Sequence, residues 1–232
     1  MAAHKAIFNW SGGKDSALAL QCALENEQLE IIGLLTTLSK ETLQSSIHAI
    51  PLSILQLQAN AIGIPLYTAL FSEDLSDYQS AMNKAVTKFQ KMGVTHFIYG
   101  DISTTNIQEH REQHLNSLGI NLVEPLGHKT SQEVIELFLQ TDLRAKIIVT
   151  QADKLGKEYI GQDISKALLA SFPSEIDPCG EQGEYHSIAY SGSLFGQEIP
   201  VNITSIEHVS YDITLDNGHT QTYKYWRANL QE

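Results

Sequence analysis

The 232-residue chain contains only two cysteines, Cys22 and Cys179. Two thiols cannot build a disulfide framework or a four-cysteine zinc site, and free cysteines point to the reducing cytoplasm as the compartment. No apolar run is long enough to cross a bilayer: LEIIGLLTTL, starting at Leu29, stops far short of the roughly 20 residues needed. The opening MAAHKAIFNW lacks the basic, apolar and small-residue zones of a signal peptide. Basic residues are scarce as well. Fifteen Lys and Arg against 27 Asp and Glu leave a net charge of −12, which argues against a nucleic-acid-binding surface but permits a local basic pocket. There is no internal repeat, low-complexity tract or Gly/Ser linker. With 42% hydrophobic and 18% charged residues, the chain can bury one large core, alone or with a small appendage.

The first part of the chain alternates strand-like and helix-like runs. Strands are expected at Ala6 to Trp10, Leu29 to Leu38, Ile64 to Phe71, Val94 to Tyr99 and Ile120 to Glu124. Helices are expected at Ser16 to Leu24, Leu52 to Ala61, Asp77 to Met92 and Thr105 to Leu118. Short connections between such units imply an α/β fold, a Rossmann-like parallel sheet covered by helices on both faces. Ligands bind such sheets beyond the C-terminal ends of the strands. Near Gly127 the pattern changes. Ser131 to Leu139 and Asp163 to Ser171 look helical, and Ala145 to Thr150 looks like a strand. Tyr211, Ile213 and Leu215 alternate before Asp216-Asn217-Gly218, and Thr220 to Trp226 follows, which signals a hairpin. The expected division is a nucleotide-binding domain over residues 1–127 and a smaller α+β substrate domain over residues 128–232.

Chemistry concentrates in two strings. Residues 7–20, IFNWSGGKDSALAL, run from strand through loop into helix. Gly12 and Gly13 let the backbone turn tightly and approach a ligand, and the free amides of the helix start favour an anion. Ser11 and Ser16 offer hydroxyls, Lys14 a charge, and Asp15 a carboxylate for Mg²⁺. The string is neither a Walker A loop nor a GxGxxG fingerprint. The bland alternative is an ordinary strand–helix turn; the whole SGGKDS string at this place favours a phosphate site. Residues 175–187, EIDPCGEQGEYHS, gather Asp177, Cys179, Glu181, Glu184 and His186 around turns at Asp177-Pro178, Gly180 and Gly183. Glu184 and His186 would share a face on an extended strand, and such a pair suits acid–base work. By spacing alone this string reads as a solvated polar loop.

SGGKDS resembles the signature SGGxDS of the PP-loop ATP pyrophosphatases, and DPCGE followed by GEYH resembles the second signature of one branch, the diphthine–ammonia ligase family. Gly100-Asp101-Ile102, Arg111-Glu112 and Leu155-Gly156-Lys157 agree with it, so the likeness runs from Phe8 to about Phe195. The resemblance implies a sheet of the adenine-nucleotide α-hydrolase type and ATP with Mg²⁺ as cofactors. It implies a ligase that adenylates a carboxylate, releases pyrophosphate, and lets ammonia displace AMP to form an amide. The acceptor would be diphthine on elongation factor 2 in a eukaryotic or archaeal cell, and another carboxylate in a bacterium. Alternatives are a non-catalytic ATP/AMP-binding module and a PP-loop tRNA-modifying enzyme. Whether the chain forms a homo-oligomer is left open.

The resemblance assigns Ser11, Gly12, Gly13, Lys14, Asp15, Ser16, Thr36, Thr37, His48 and Gly100 to the nucleotide, with Asp15 on the metal. It assigns Lys14, Asp15, Asp101, Arg111, Glu181, Glu184 and His186 to catalysis. Competing readings stand beside some of these. Asp101 is alternatively a helix cap, Arg111 a surface ion pair, His48 a loop histidine, and Thr36 and Thr37 plain strand residues. Cys179 reads as a packing residue rather than a nucleophile. His4, His208 and His219 are expected at the surface, and Tyr211, Tyr223, Tyr225 and Trp226 in the packing of the hairpin. Replacing Lys14 or Asp15 by alanine is expected to lower turnover strongly without unfolding the chain.

Overall fold

A computed structural model describes residues 2–45, 48–72, 74, 76–102, 105–214 and 220–232. Five parallel strands form the first sheet: β1 (His4–Asn9), β2 (Leu29–Ser39), β3 (Leu66–Phe71), β4 (His96–Tyr99) and β5 (Asn121–Val123). Their spatial order is β3-β2-β1-β4-β5. The crossovers carry α1 (Lys14–Leu24), α2 (Leu52–Ile62), α3 (Tyr78–Gln90) and α4 (Thr105–Ser117). The chain therefore steps outward from β1 to β3, returns to the other side of β1, and continues outward. This reversal opens a crevice between the C-terminal ends of β1 and β4, where open sheets of this kind hold ligands.

Strand periodicity explains the two layers. Successive side chains alternate faces, so Ile7, Leu35 and Phe97 pack with Val86 and Phe89 of α3 on one side. Phe8, Leu34 and Ile98 face the other way, onto Leu20 of α1 and Leu55 of α2. That second core does not end at the first sheet. It continues into Ile147 and Ile188 of an antiparallel sheet of order β7-β6-β9-β8, built from β6 (Arg144–Gln151), β7 (Tyr185–Ser191), β8 (Asn202–Thr214) and β9 (Thr220–Gln231). Between the sheets lies α5 (Ser131–Gln140), started by a capping box in which Thr130 Oγ1 accepts from Glu133 N and the Glu133 carboxylate accepts from Thr130 N. Val134, Ile135 and Phe138 of α5 enter the same core.

Two expectations need correction. The helix expected over Asp163 to Ser171 shrinks to α6 (Lys166–Leu169), capped by Ser165. Asp163 is drawn instead into the second sheet, where it accepts from Lys146 Nζ (2.9 Å) and Tyr190 Oη (2.7 Å), and Pro173 follows soon after. The second correction is β7, a full strand in which Ile188, Ala189 and Tyr190 are buried. The hairpin forms, with β8 and β9 in register out to Thr214 opposite Thr220. Asp216-Asn217-Gly218, Leu215 and His219 lie outside the described residues. Exposed His208 packs its ring on Trp226 (4.8 Å), and Tyr211 lies near Tyr225 (6.2 Å). His4, also exposed, stands against His96 (4.7 Å). Among the described residues no helix is long and apolar enough to cross a membrane.

Candidate functional site

The SGGKDS loop leaves the C-terminal end of β1 at the crevice. Gly12 adopts φ +84°, a conformation that disfavours side chains, and an added Cβ would stand 2.9 Å from Gln58 Oε1. Gly13 is the extended residue before α1 and has no side chain to cap the helix. The loop holds itself open by hydroxyls: Ser11 N donates to Ser16 Oγ (3.2 Å) and Gly13 N to Ser11 Oγ (3.3 Å). These are weak neutral bonds, which an anionic oxygen readily outcompetes for the same amides.

Lys14 and Asp15 pair with each other at the start of α1. Lys14 is 2% exposed and turns away from solvent, donating to Asp15 Oδ2 (2.7 Å) and to the carbonyl oxygen of Cys179 (2.5 Å), with the Tyr185 ring 5.0 Å away. Burial presses its ammonium toward neutrality, but Asp15, aided by Tyr185 and Cys179, outweighs this and leaves the group above its ordinary value. Burial raises the Asp15 carboxyl, opposed by Lys14. Its second oxygen, Oδ1, is buried with no hydrogen-bond partner. A hard, orphaned carboxylate oxygen at a phosphate loop fits Mg²⁺, which takes one or two protein carboxylates and completes its shell with water and phosphate oxygens. Among the described residues, no group of three or more His, Cys, Asp or Glu stands ready to cage a metal alone.

The second string folds over this loop. Asp177 Oδ1 accepts from the amides of Cys179 (2.8 Å) and Glu181 (3.2 Å), which closes the turn. Gly180 has φ +74° and packs its α-carbon against Tyr185, whose carbonyl oxygen an added Cβ would meet at 2.7 Å. Glu184, 1% exposed, accepts from Asp177 N (3.3 Å) and Gln182 N (3.0 Å), so its carboxylate braces the loop from within. Cys179 donates its thiol to the Ser131 carbonyl (3.1 Å), and burial pushes the thiol up to about 12, a packed and inert sulfur. Glu181, by contrast, stands exposed at the rim; desolvation at the cleft and then Asp15 raise its carboxyl to about 7, with Asp177 and Asp101 adding to the effect.

β7 is stitched directly to the phosphate loop. Ala189 N donates to Gly12 O (2.8 Å), and Ser187 Oγ accepts from Lys14 N (3.1 Å). His186 on this strand meets His48, from the segment before α2, with ring centroids 4.9 Å apart. Burial, then Lys14, lowers His48 to about 4; burial, His48 and Lys14 hold His186 well below its ordinary value. Both shifts favour the uncharged ring.

Across the crevice, Gly100 ends β4 so close to α1 that an added Cβ would lie 2.9 Å from Ser16 Cα. Asp101 accepts from Arg111 Nη2 (2.6 Å), while Arg111 Nη1 donates to Glu124 (2.7 Å) and the guanidinium lies over the Tyr99 ring (4.1 Å). Arg111 thus holds Asp101 at the crevice. Thr36 is buried and Thr37 half-buried near the end of β2.

The sequence assigned no role to two residues. Ser187, the last residue of the second string, is one, and Gln58, fully buried on α2, is the other. Gln58 Oε1 accepts from Trp10 Nε1 (3.0 Å), while its Nε2 donates to Gly12 O (3.1 Å) and Ala189 O (2.7 Å). One side chain therefore ties β1, the phosphate loop and β7 together. Only its place beside Ile54, Leu55 and Ala59 on the buried face of the helix hinted at it. Gln58→Leu strands the Trp10 Nε1 donor and takes one hydrogen bond each from Gly12 O and Ala189 O, and is expected to lower unfolding free energy in urea by about 2–4 kcal/mol.

A glycine-rich anion loop at the switch point of a parallel sheet, with an orphaned carboxylate oxygen beside it, defines an ATP-using enzyme of the PP-loop type. Within that class the chain belongs to the diphthamide synthase family: it matches the diphthamide synthase N-terminal domain over residues 4–136 and the C-terminal domain over residues 127–226. Two solved structures are similar at low identity. One is a predicted subunit of tRNA methyltransferase from Methanocaldococcus jannaschii, with 14% identity, 62% of this chain and 80% of that chain covered, and a TM-score of 0.42. The other is the U34-tRNA thiolase NcsA from Methanococcus maripaludis with its 4Fe–4S cluster, with 15% identity, 58% and 55% covered, and a TM-score of 0.37. No curated protein sequence matches the chain.

Proposed function

We propose that the chain is an ATP-dependent, amide-forming ligase of the diphthine–ammonia ligase type. The observation that carries this reading is the direct joining of its two chemical strings. Ala189 N on Gly12 O, Ser187 Oγ on Lys14 N and Lys14 Nζ on Cys179 O make the nucleotide loop and the DPCGEQGEYHS loop one site. A module that only held ATP would need the first string and its amides alone.

In the proposed reaction the loop amides and the positive end of α1 take the phosphates of ATP. Asp15 would hold Mg²⁺, which supplies charge neutralisation along the polyphosphate when bound. The carboxylate oxygen of the acceptor attacks the α-phosphorus, and pyrophosphate leaves. Ammonia then attacks the acyl carbon, and the bond to AMP breaks with its electron pair on the AMP oxygen. Glu184 keeps the second loop in shape, while Asp101, held by Arg111, and Glu181 flank the crevice where the acceptor enters. Positioning and charge account for most of the rate in such chemistry.

The acceptor proposed is a protein-borne carboxylate, diphthine of elongation factor 2 where the cell makes it. The test incubates the protein with ATP, Mg²⁺, ammonium chloride and acceptor labelled with ¹⁸O in its carboxylate. One labelled oxygen is expected in AMP, together with amidated acceptor and pyrophosphate. Bound ATP with no pyrophosphate from any acceptor would make the chain a nucleotide-binding module instead, and label appearing in phosphate rather than AMP would refute adenylation.

A further inference from the structure

The least explained groups near the phosphate loop are two imidazoles. His48 and His186 come from distant parts of the chain, one from the segment between β2 and α2 and the other from β7. They meet with centroids 4.9 Å apart and planes inclined by 53°. His48 reaches the loop itself: a Cβ placed on Gly13 would stand 3.0 Å from its Nε2, with Ser187 O at 3.1 Å on the other side. Neither ring makes a hydrogen bond to any described residue. Half-buried imidazoles normally find a partner for each nitrogen. Here the rings are brought together beside the phosphate loop, with no described residue taking up their nitrogens.

We propose that the His48–His186 pair is the seat for unprotonated ammonia, the nitrogen donor of the ligase reaction. The inference rests on the ligase reading and specifies which form of the nitrogen substrate the site selects. In water at neutral pH the dominant form is ammonium, which has no lone pair and cannot attack. The seat disfavours that cation. Lys14, the charged group that bears on both rings, has its ammonium buried, and its charge together with burial presses both rings away from the cationic form. A neutral imidazole offers one acceptor and one donor nitrogen. Two such acceptors can take two N–H bonds of ammonia and leave its lone pair free.

Atoms and protons balance in the step that follows. The nitrogen lone pair forms the C–N bond, the acyl–oxygen bond to AMP breaks, and the surplus proton passes from nitrogen to a ring and on to solvent. Nucleotide charge in the complex opposes Lys14 and raises the basicity of the ring for that transfer.

The test separates the two half-reactions of the full-length chain, with diphthine-bearing elongation factor 2 as acceptor. Acceptor-dependent exchange of labelled pyrophosphate into ATP reads adenylation, and amide formation at varied ammonium chloride reads the second step. His186→Ala and His48→Ala are expected to keep exchange within about twofold and to raise KM for ammonium chloride at pH 7.5 by about tenfold or more, the loss of one to two hydrogen bonds to a neutral ligand. With hydroxylamine, already uncharged at that pH, the same variants are expected to lose less. Thermal unfolding monitors folding, and His186→Asn, which keeps a donor and an acceptor, is expected to recover part of the loss. Equal loss of exchange and amide formation would assign the rings to the nucleotide and overturn the seat. An unchanged KM for ammonium chloride would do the same. No exchange in the unaltered protein would remove the ligase reading, and the seat with it.

Discussion

Replacing Asp15 with asparagine is expected to slow pyrophosphate release at saturating Mg²⁺ and ATP by roughly 10²- to 10³-fold, the scale seen when one preorganised electrostatic contact to a developing charge is removed. The substitution also takes the carboxylate charge away from the buried Lys14 ammonium, which costs some folding stability. The introduced amide would still offer an oxygen to Lys14 Nζ, which in the native protein lies 2.7 Å from Asp15 Oδ2. The group lost is the negative charge on Oδ1, which is buried and has no partner in the protein. A carboxylate oxygen held in that state is costly unless a ligand completes it. Circular dichroism is therefore expected to be unchanged, and nucleotide binding measured in EDTA nearly so, while binding of the Mg²⁺ complex weakens. A variant that released pyrophosphate at the native rate would show that Asp15 serves only Lys14.

The parts of this site that could be read from the sequence are those written in contiguous residues. SGGKDS is a local device: its glycines, its hydroxyls and the start of α1 sit within six positions, and their chemistry follows from their order. The alternation of strands and helices up to residue 127 was legible because both faces of a parallel sheet must be apolar. What escaped was long-range. His48 and His186 are far apart in sequence, and no periodicity could announce that their rings meet. Gln58 hides within a helix whose composition reads as ordinary core, although it bonds to three separate segments. β7 was obscured because the turns before it, at Asp177-Pro178 and Gly180, look like the start of a surface loop. Those turns are in fact packed: Glu184 and Tyr185 are buried beneath them. Asp163 misled in the opposite direction, since a helix-compatible stretch lost its first residues to ion pairing with Lys146 on the sheet.

Lys14 shows the same limit with an energetic consequence. Read from the sequence it is a cation aimed at phosphate, whose removal lowers turnover strongly and spares the fold. In the structure it is enclosed, and it ties the start of α1 to the loop of the second sheet through Cys179 O. Lys14→Met is therefore expected to destabilise the protein by about 3–5 kcal/mol, because it leaves the Asp15 carboxylate buried without its cation. The pH dependence follows. Burial already lifts the Asp15 carboxyl, and Lys14 is the main influence pulling it down, so the variant carboxyl rises further. A carboxyl raised in the folded state binds more protons there than in the unfolded chain, so folding stability falls as pH rises above the ordinary carboxylate value. The deficit of Lys14→Met should accordingly be smallest near pH 4 and grow toward pH 8, measured by urea unfolding at both. Adding Asp15→Asn to Lys14→Met removes the stranded charge and should return much of the lost stability without restoring turnover, as expected of a buried pair whose members cost more apart than together. A Lys14→Met protein as stable as the native one at pH 8 would mean that the ammonium contributes nothing to joining the two sheets, and that its place in the site is set by the nucleotide alone.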